Sequence, residues 1–199
     1  MSAGREVHAL VGPVRAVQRL LERAGNRGVI IGGVAVSLLA RPRLTADVDA
    51  VLLASAEDLP QILGWASEEG LLPRIPDALD FARTHRVLLL RHQESEISVD
   101  ISLGILPFEM EMVERSQVHE FGGFAVRLPT PEDLIILKAV AHRPVDLADI
   151  RAIVQSHPTL DRARIQRWVK AFAEALEMPE LWEEIEPLLE PPSGGRDER

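Results

Sequence analysis

The sequence predicts a mixed α/β (α+β) protein, a β-sheet with helices packed on it, followed by a C-terminal helical domain. Three observations carry this. A β-branched run, Val29-Ile30-Ile31, meets a Gly32-Gly33 corner and then a short apolar helix. Period-2 alternation over Glu96 to Leu103 puts Ile97, Val99, Ile101 and Leu103 on one face and Ser98, Asp100 and Ser102 on the other. From Pro131 to Leu189 the apolar spacing turns helical throughout.

In order, Pro13 to Ala24 is predicted as a helix with Val14, Val17, Leu20 and Leu21 as its apolar stripe, closed by Gly25-Asn26. Val29 to Ile31 is a strand, Val34 to Leu39 a helix and Asp47 to Leu53 a second strand. Ser55-Ala56-Glu57-Asp58 starts a helix that runs to Gly70. Leu71 to Arg83, broken by Pro73 and Pro76, gives only one helical turn near Ala78 to Ala82. His85 to Arg91 reads as a strand, and Gln93-Glu94-Ser95 connects it to the alternating strand. Pro107 to Ser116 is helical, and Gln117 to Phe121 pairs with Phe124 to Leu128 around Gly122-Gly123. Thr130 is an N-cap and Pro131 a first helical residue. The helices beyond are Pro131 to Ala141, Val145 to Gln155, Asp161 to Leu176 and Pro179 to Leu189. Trp65, Trp168 and Trp182 lie in apolar stripes and are predicted to be core. The expected domains are 1–128 and 129–190, with 191–199 a tail that has nothing to bury.

Composition narrows the function. Of 199 residues 46% are hydrophobic, enough for a real core. Tyr and Cys are absent, which argues against a base-stacking platform and removes thiolate metal sites and disulfides. No apolar run is long enough to cross a bilayer and the start lacks a signal-peptide pattern, so a cytoplasmic protein without a membrane partner is expected. A net charge of −9 opposes broad nucleic-acid coating. Arginines gather between Arg5 and Arg43, however, and glutamates between Glu174 and Glu190. Both runs read as solvated helix faces, although a basic rim would suit a polyphosphate or an RNA end.

The chemistry concentrates in residues 29–53. Asp47 and Asp49 are two apart on a strand and share one face. Such carboxylates repel unless a cation sits between them or one stays protonated, and Mg²⁺ suits oxygen donors. Gly32-Gly33 allows close backbone approach, and the free N–H groups of a helix starting there favour phosphate. Thr45 either adds a hydroxyl contact or serves strand entry. Asp100 reads either as an exposed strand position or as a third acid. Lys138, among Leu134, Ile135, Leu137 and Val140, is either a snorkelling lysine or a cation aimed at phosphates. Arg143, Asp146 and Asp149 read either as a helix-end ion-pair cluster or as part of a binding segment.

The Gly-Gly corner followed by Asp-x-Asp on a strand resembles the signature of the DNA polymerase β-type nucleotidyltransferase superfamily. The segment from Leu128 to Ile150 resembles the helical signature of its AbiEii-type members, a group that includes toxins of toxin–antitoxin systems. Lys138, Arg143, Asp146, Asp149 and Ile150 fall on that signature, while Val145 stands where a Lys or Arg is usual. The resemblance implies the nucleotidyltransferase fold and Mg²⁺-dependent transfer of an NMP from an NTP, with release of pyrophosphate. It implies a two-metal site on Asp47, Asp49 and Asp100, and nucleotide binding by Gly32, Gly33, Thr45, Lys138, Arg143 and Asp146. The acceptor would be a tRNA 3′ end, a protein hydroxyl or a small molecule, and an antitoxin protein would be a partner. The alternative is a catalytically silent module of the same fold that binds nucleotide or a partner.

Overall fold

The computed structural model describes the backbone of residues 3–190 and side chains from Ala9 onward; the predicted tail, 191–199, lies outside the described residues. The chain divides into two compact units, Met1–Leu38 with Arg43–Thr130, and Leu39–Pro42 with Pro131–Arg199.

The first unit begins with helix α1, Ala3–Arg23, whose Val14, Val17, Leu20 and Leu21 are buried as their spacing predicts. Left-handed Gly25 and Asn26 stop the helix, and the Asn26 N–H returns to the Leu21 carbonyl at 2.8 Å. Strand β1, Gly28–Ile31, runs into α2, Gly32–Leu39, and β2 spans Asp47–Leu53. Helix α3, Leu59–Glu68, follows a turn in which Asp58 Oδ2 accepts from the Ser55 N–H at 2.9 Å and its hydroxyl at 3.0 Å. Next come β3, Leu71–Pro73, α4, Ala78–His85, β4, Val87–His92, β5, Ser98–Gly104, and α5, Pro107–Arg115. Five strands form one mixed sheet in the order β1-β2-β5-β4-β3. β2 and β5 are parallel and the other neighbours antiparallel. A hairpin of β6, Gln117–Phe121, and β7, Phe124–Leu128, stands as predicted.

The two faces of the sheet differ. Val48, Ala50 and Leu52 of β2, Val99, Ile101 and Leu103 of β5, and Leu88 and Leu90 of β4 are buried on one face. Helix α1 covers that face. A Cβ on Gly28, opposite Leu52, would meet Leu21, and the ring of His92 lies against Gly12. Each fully buried Val, Leu or Ile side chain there contributes about 1.5–3 kcal/mol. The opposite face carries Asp47, Asp49, Ser98 and Asp100, which remain partly open to solvent. Towards the far ends of β2 and β5 that face is covered, with Val51, Leu53 and Glu109 of α5 close around Gly104.

Three expectations need correction. β3 was not legible: it is short and contains Pro73, whose missing N–H is tolerated on an edge strand. His85 ends α4 instead of opening a strand. Arg86, left-handed at φ 55°, stops that helix by donating to the Ala82 carbonyl, and β4 starts one residue later. Trp65, Trp168 and Trp182 are only half-buried. The Arg167 guanidinium lies over Trp168 and the Lys170 ammonium over Trp182, so the latter two rings serve as partly exposed cation partners.

The second unit is helical: α6, Pro131–Ala141, α7, Pro144–Ser156, α8, Arg162–Ala175, and α9, Glu180–Ile185, with a 3-10 turn at Glu186–Leu189. α6 packs against α7 and α8, and Leu134, Ile135, Ala139, Ile150, Ile153, Ile165, Val169 and Leu181 form the core. Left-handed His142 breaks the first pair of helices.

Candidate active site

Pairing register gathers the acids. Asp49 of β2 lies opposite Asp100 of β5, and Asp47 opposite Ser98. Cross-strand partners project to the same side of a sheet, and adjacent strands are only about 4.8 Å apart. The three carboxylates expected from the sequence therefore leave one face together, the face away from α1. The same rung continues outward in both directions. Asp49 pairs with Ile31, the residue before the glycine corner, and Asp100 pairs with Leu89 of β4.

The glycine corner is shaped around these acids. Gly32 sits at φ +64°, and a Cβ there would fall 2.0 Å from Asp49 Oδ2. Only glycine lets the carboxylate lie against the backbone at the start of α2. A Cβ on Gly33 would lie 2.3 Å from Thr45 Oγ1. The Thr45 hydroxyl in turn donates to Asp47 Oδ1 at 3.0 Å. Gly32, Gly33, Thr45, Asp47 and Asp49 thus form one continuous patch.

Asp100 carries a partner that the sequence did not reveal. Arg74 Nη2 donates to Asp100 Oδ1, and Nη1 donates to Ser98 Oγ at 3.0 Å. Arg74 leaves the end of β3 inside the Pro73–Pro76 stretch, where no periodic pattern marks it. Partial burial pushes the Asp100 carboxyl above its ordinary range; Arg74 pulls it back by charge and hydrogen bond, and the negative charge of Asp47 adds to the rise.

Among the described residues, no three His, Asp or Glu side chains already stand grouped around one metal position. The donor chemistry nonetheless fits a hard divalent cation. Asp47 and Asp49 offer carboxylate oxygens on one face, and the Asp100 oxygens stand on the neighbouring strand, one of them bonded to a cationic group.

Lys138, Arg143, Asp146 and Asp149 come together in the second unit. The buried Lys138 ammonium lies 2.8 Å from Asp146 Oδ1 and 2.9 Å from Asp149 Oδ2. Asp146 Oδ2 also accepts from Arg143 Nε at 2.6 Å and from the Arg143 N–H at 3.1 Å. Burial alone would raise the Asp146 carboxyl. The Arg143 and Lys138 bonds outweigh it and hold the group below the ordinary range. The geometry is that of an ion-pair cluster joining α6 to the start of α7.

The five-stranded mixed sheet, with an acid pair on the strand after a Gly-Gly corner, stands in a chain of the nucleotidyl transferase class. The chain belongs to the family described as "Nucleotidyl transferase of unknown function (DUF2204)", which matches residues 12–185. Among solved structures it is similar to an antigenic nucleotidyltransferase-like protein from Paracoccidioides brasiliensis. That pair has 17% identity and a TM-score of 0.51, over 92% of this chain and 93% of the other. It is also similar to the antibiotic-resistance factor ANT(2'')-Ia, with 19% identity and a TM-score of 0.53, over 84% of this chain and 95% of the other. At these identities the likeness concerns the fold. No curated protein sequence matches the chain. Among the described residues no helix is long and apolar enough to cross a membrane.

Proposed function

We propose that this protein transfers a nucleoside monophosphate from an NTP to an acceptor hydroxyl and releases pyrophosphate, in a Mg²⁺-dependent reaction. The observation that carries this reading is the Asp49–Asp100 register, with Asp47 on the same face and Gly32 shaped to the Asp49 carboxylate. Asp47 and Asp49 would hold Mg²⁺, and Asp100 would complete the ligand set for a second ion. Bound Mg²⁺ supplies charge neutralisation at the reacting phosphoryl oxygens. Asp100 would also accept the proton of the acceptor hydroxyl. Thr45 fixes Asp47, the missing Gly32 and Gly33 side chains make way for the Asp49 carboxylate and the Thr45 hydroxyl, and the backbone N–H groups at the start of α2 would meet the phosphates. Lys138, Arg143 and Asp146 contribute by holding the helical unit together.

For the acceptor, a small hydroxyl-bearing molecule is the first choice, because the net charge of −9 disfavours a long polyanion. The AbiEii-type reading of residues 128–150 would instead favour a tRNA 3′ end or a protein hydroxyl, with an antitoxin as partner. The deciding experiment is incubation of the protein with Mg²⁺, each α-labelled NTP and a cell lysate, alongside Asp49→Ala. A labelled metabolite, RNA or protein that needs both Mg²⁺ and Asp49 supports transfer and names the acceptor class. The Arg74–Asp100 pair favours a second reading, a silent nucleotide-binding module. That reading gains if NTPs raise the unfolding temperature with Mg²⁺ while no labelled product forms.

A further inference from the structure

We propose that Arg74 is a cationic latch on the third carboxylate: it occupies Asp100 in the free protein and exchanges that carboxylate for nucleotide phosphate when a metal–nucleotide complex arrives. This rests on the nucleotidyltransferase reading above and adds a residue that belongs to neither of its motifs.

The rung geometry supports it. The Arg74 N–H donates to the Leu89 carbonyl at 2.9 Å, which sets its backbone beside β4 at the residue that pairs with Asp100. From there the side chain spans β4 and brings its guanidinium to Ser98 Oγ and Asp100 on β5. Arg74 therefore ends a row that runs Ile31, Asp49, Asp100, Leu89, Arg74 across the sheet. Its guanidinium sits on the carboxylate next to Asp49, on the face where a divalent ion would bind.

Such an arrangement has two consequences. A guanidinium and a divalent cation that share one carboxylate repel each other, so the closed latch lowers metal affinity at Asp100. By reciprocity, loading the metal weakens the hold of Asp100 on Arg74. A released guanidinium is suited to phosphate, whose oxygens match its planar fork of donors. The Arg74 side chain retains 29% of its exposure and its residue lies outside any helix or strand, so the movement requires no repacking of the core.

The test is Mn²⁺ titration of the full chain, with free Mn²⁺ followed by electron paramagnetic resonance, without nucleotide and with a non-reacting α,β-methylene NTP. Arg74→Met is expected to bind Mn²⁺ alone at least about fivefold more tightly than the parent protein, the lower end of usual coupling between two ligands. It should also bind the Mn²⁺–analogue complex more weakly. Arg74→Lys keeps the charge and should stay near the parent for Mn²⁺. Adding Asp100→Asn to Arg74→Met should erase the gain. Arg74→Gln provides the same comparison if the Met variant folds poorly. Unchanged or weaker Mn²⁺ binding in both neutral variants, with analogue binding to the parent intact, overturns the latch alone. If parent and variants bind neither Mn²⁺ nor the analogue, the nucleotidyltransferase reading falls with it.

Discussion

Asp49 and Asp100 are register partners on two parallel strands that lie far apart in sequence but side by side in the sheet. Two carboxylates on one rung of a parallel ladder repel each other and gain nothing from the pairing. Arg74 offsets part of the charge on Asp100, and under the proposed function a bound divalent cation relieves the rest. Asp49→Asn is therefore expected to leave the unfolding temperature in EDTA unchanged or higher. Mg²⁺-dependent NTP turnover should fall by about 10²–10⁴-fold for Asp49→Asn, and likewise for Asp100→Asn if it is the proton acceptor. Calorimetry and a pyrophosphate-release assay check the two halves. A variant that loses stability in EDTA while keeping turnover would mark the pair as structural.

Gly32 offers a backbone test of the same patch. Gly25 and Gly32 both have positive φ, at 76° and 64°, but only Gly32 has a carboxylate where its Cβ would go. Gly25→Ala should cost only the left-handed strain, about 1–2 kcal/mol. Gly32→Ala carries the same strain and must also displace the Asp49 carboxylate. Chemical denaturation is expected to show the larger loss for Gly32→Ala, and Mg²⁺-dependent nucleotide binding should vanish in that variant alone. Equal effects from both substitutions would remove the glycine corner from the site.

The residues that could be read from sequence are those whose neighbours lie close along the chain. The Gly32-Gly33 corner, the Asp47–Asp49 pair and the alternation around Asp100 all announce themselves within a few residues, and so does the hairpin at Gly122-Gly123. Arg74 does not. Its meaning comes from pairing across β4, and β3 is too short and too interrupted by proline to be seen as a strand. Arg86 escaped for a different reason. A non-glycine residue at φ 55° ends α4 where local propensity gives no warning. Lys138 was legible as a choice between two roles, and only the coordinates place its ammonium between two aspartates.

Acid should loosen the second unit through Asp146. Its carboxyl lies below the ordinary range because the Arg143 and Lys138 bonds outweigh burial. A depressed folded value means that the contribution is complete above the unfolded value, about 3.9, and is lost as pH falls through the folded one. Asp146→Asn is expected to be clearly less stable than the parent at neutral pH. The gap in urea midpoints should narrow below about pH 4, where the unfolded chain takes up a proton that folded Asp146 still excludes. A gap that stays constant down to the acid transition would show that the ionised form is not what Lys138 and Arg143 stabilise.

Lys138 decides between holding the helices and holding nucleotide. Its buried ammonium faces two carboxylates, so Lys138→Met leaves Asp146 and Asp149 without that shared counter-charge. Breaking a buried pair from one side costs about 3–5 kcal/mol, whereas replacing all partners by apolar groups is often neutral. Lys138→Met should therefore unfold at markedly lower denaturant. The triple variant Lys138→Met, Asp146→Leu, Asp149→Leu should recover much of the loss. Isothermal titration of the triple variant with Mg²⁺ and NTP then separates the roles. Affinity within about threefold of the parent makes the cluster a support for α6 and α7, since that is under 0.7 kcal/mol by the tenfold-per-1.4 rule. A loss of tenfold or more in a protein that remains folded would return Lys138 to the phosphates.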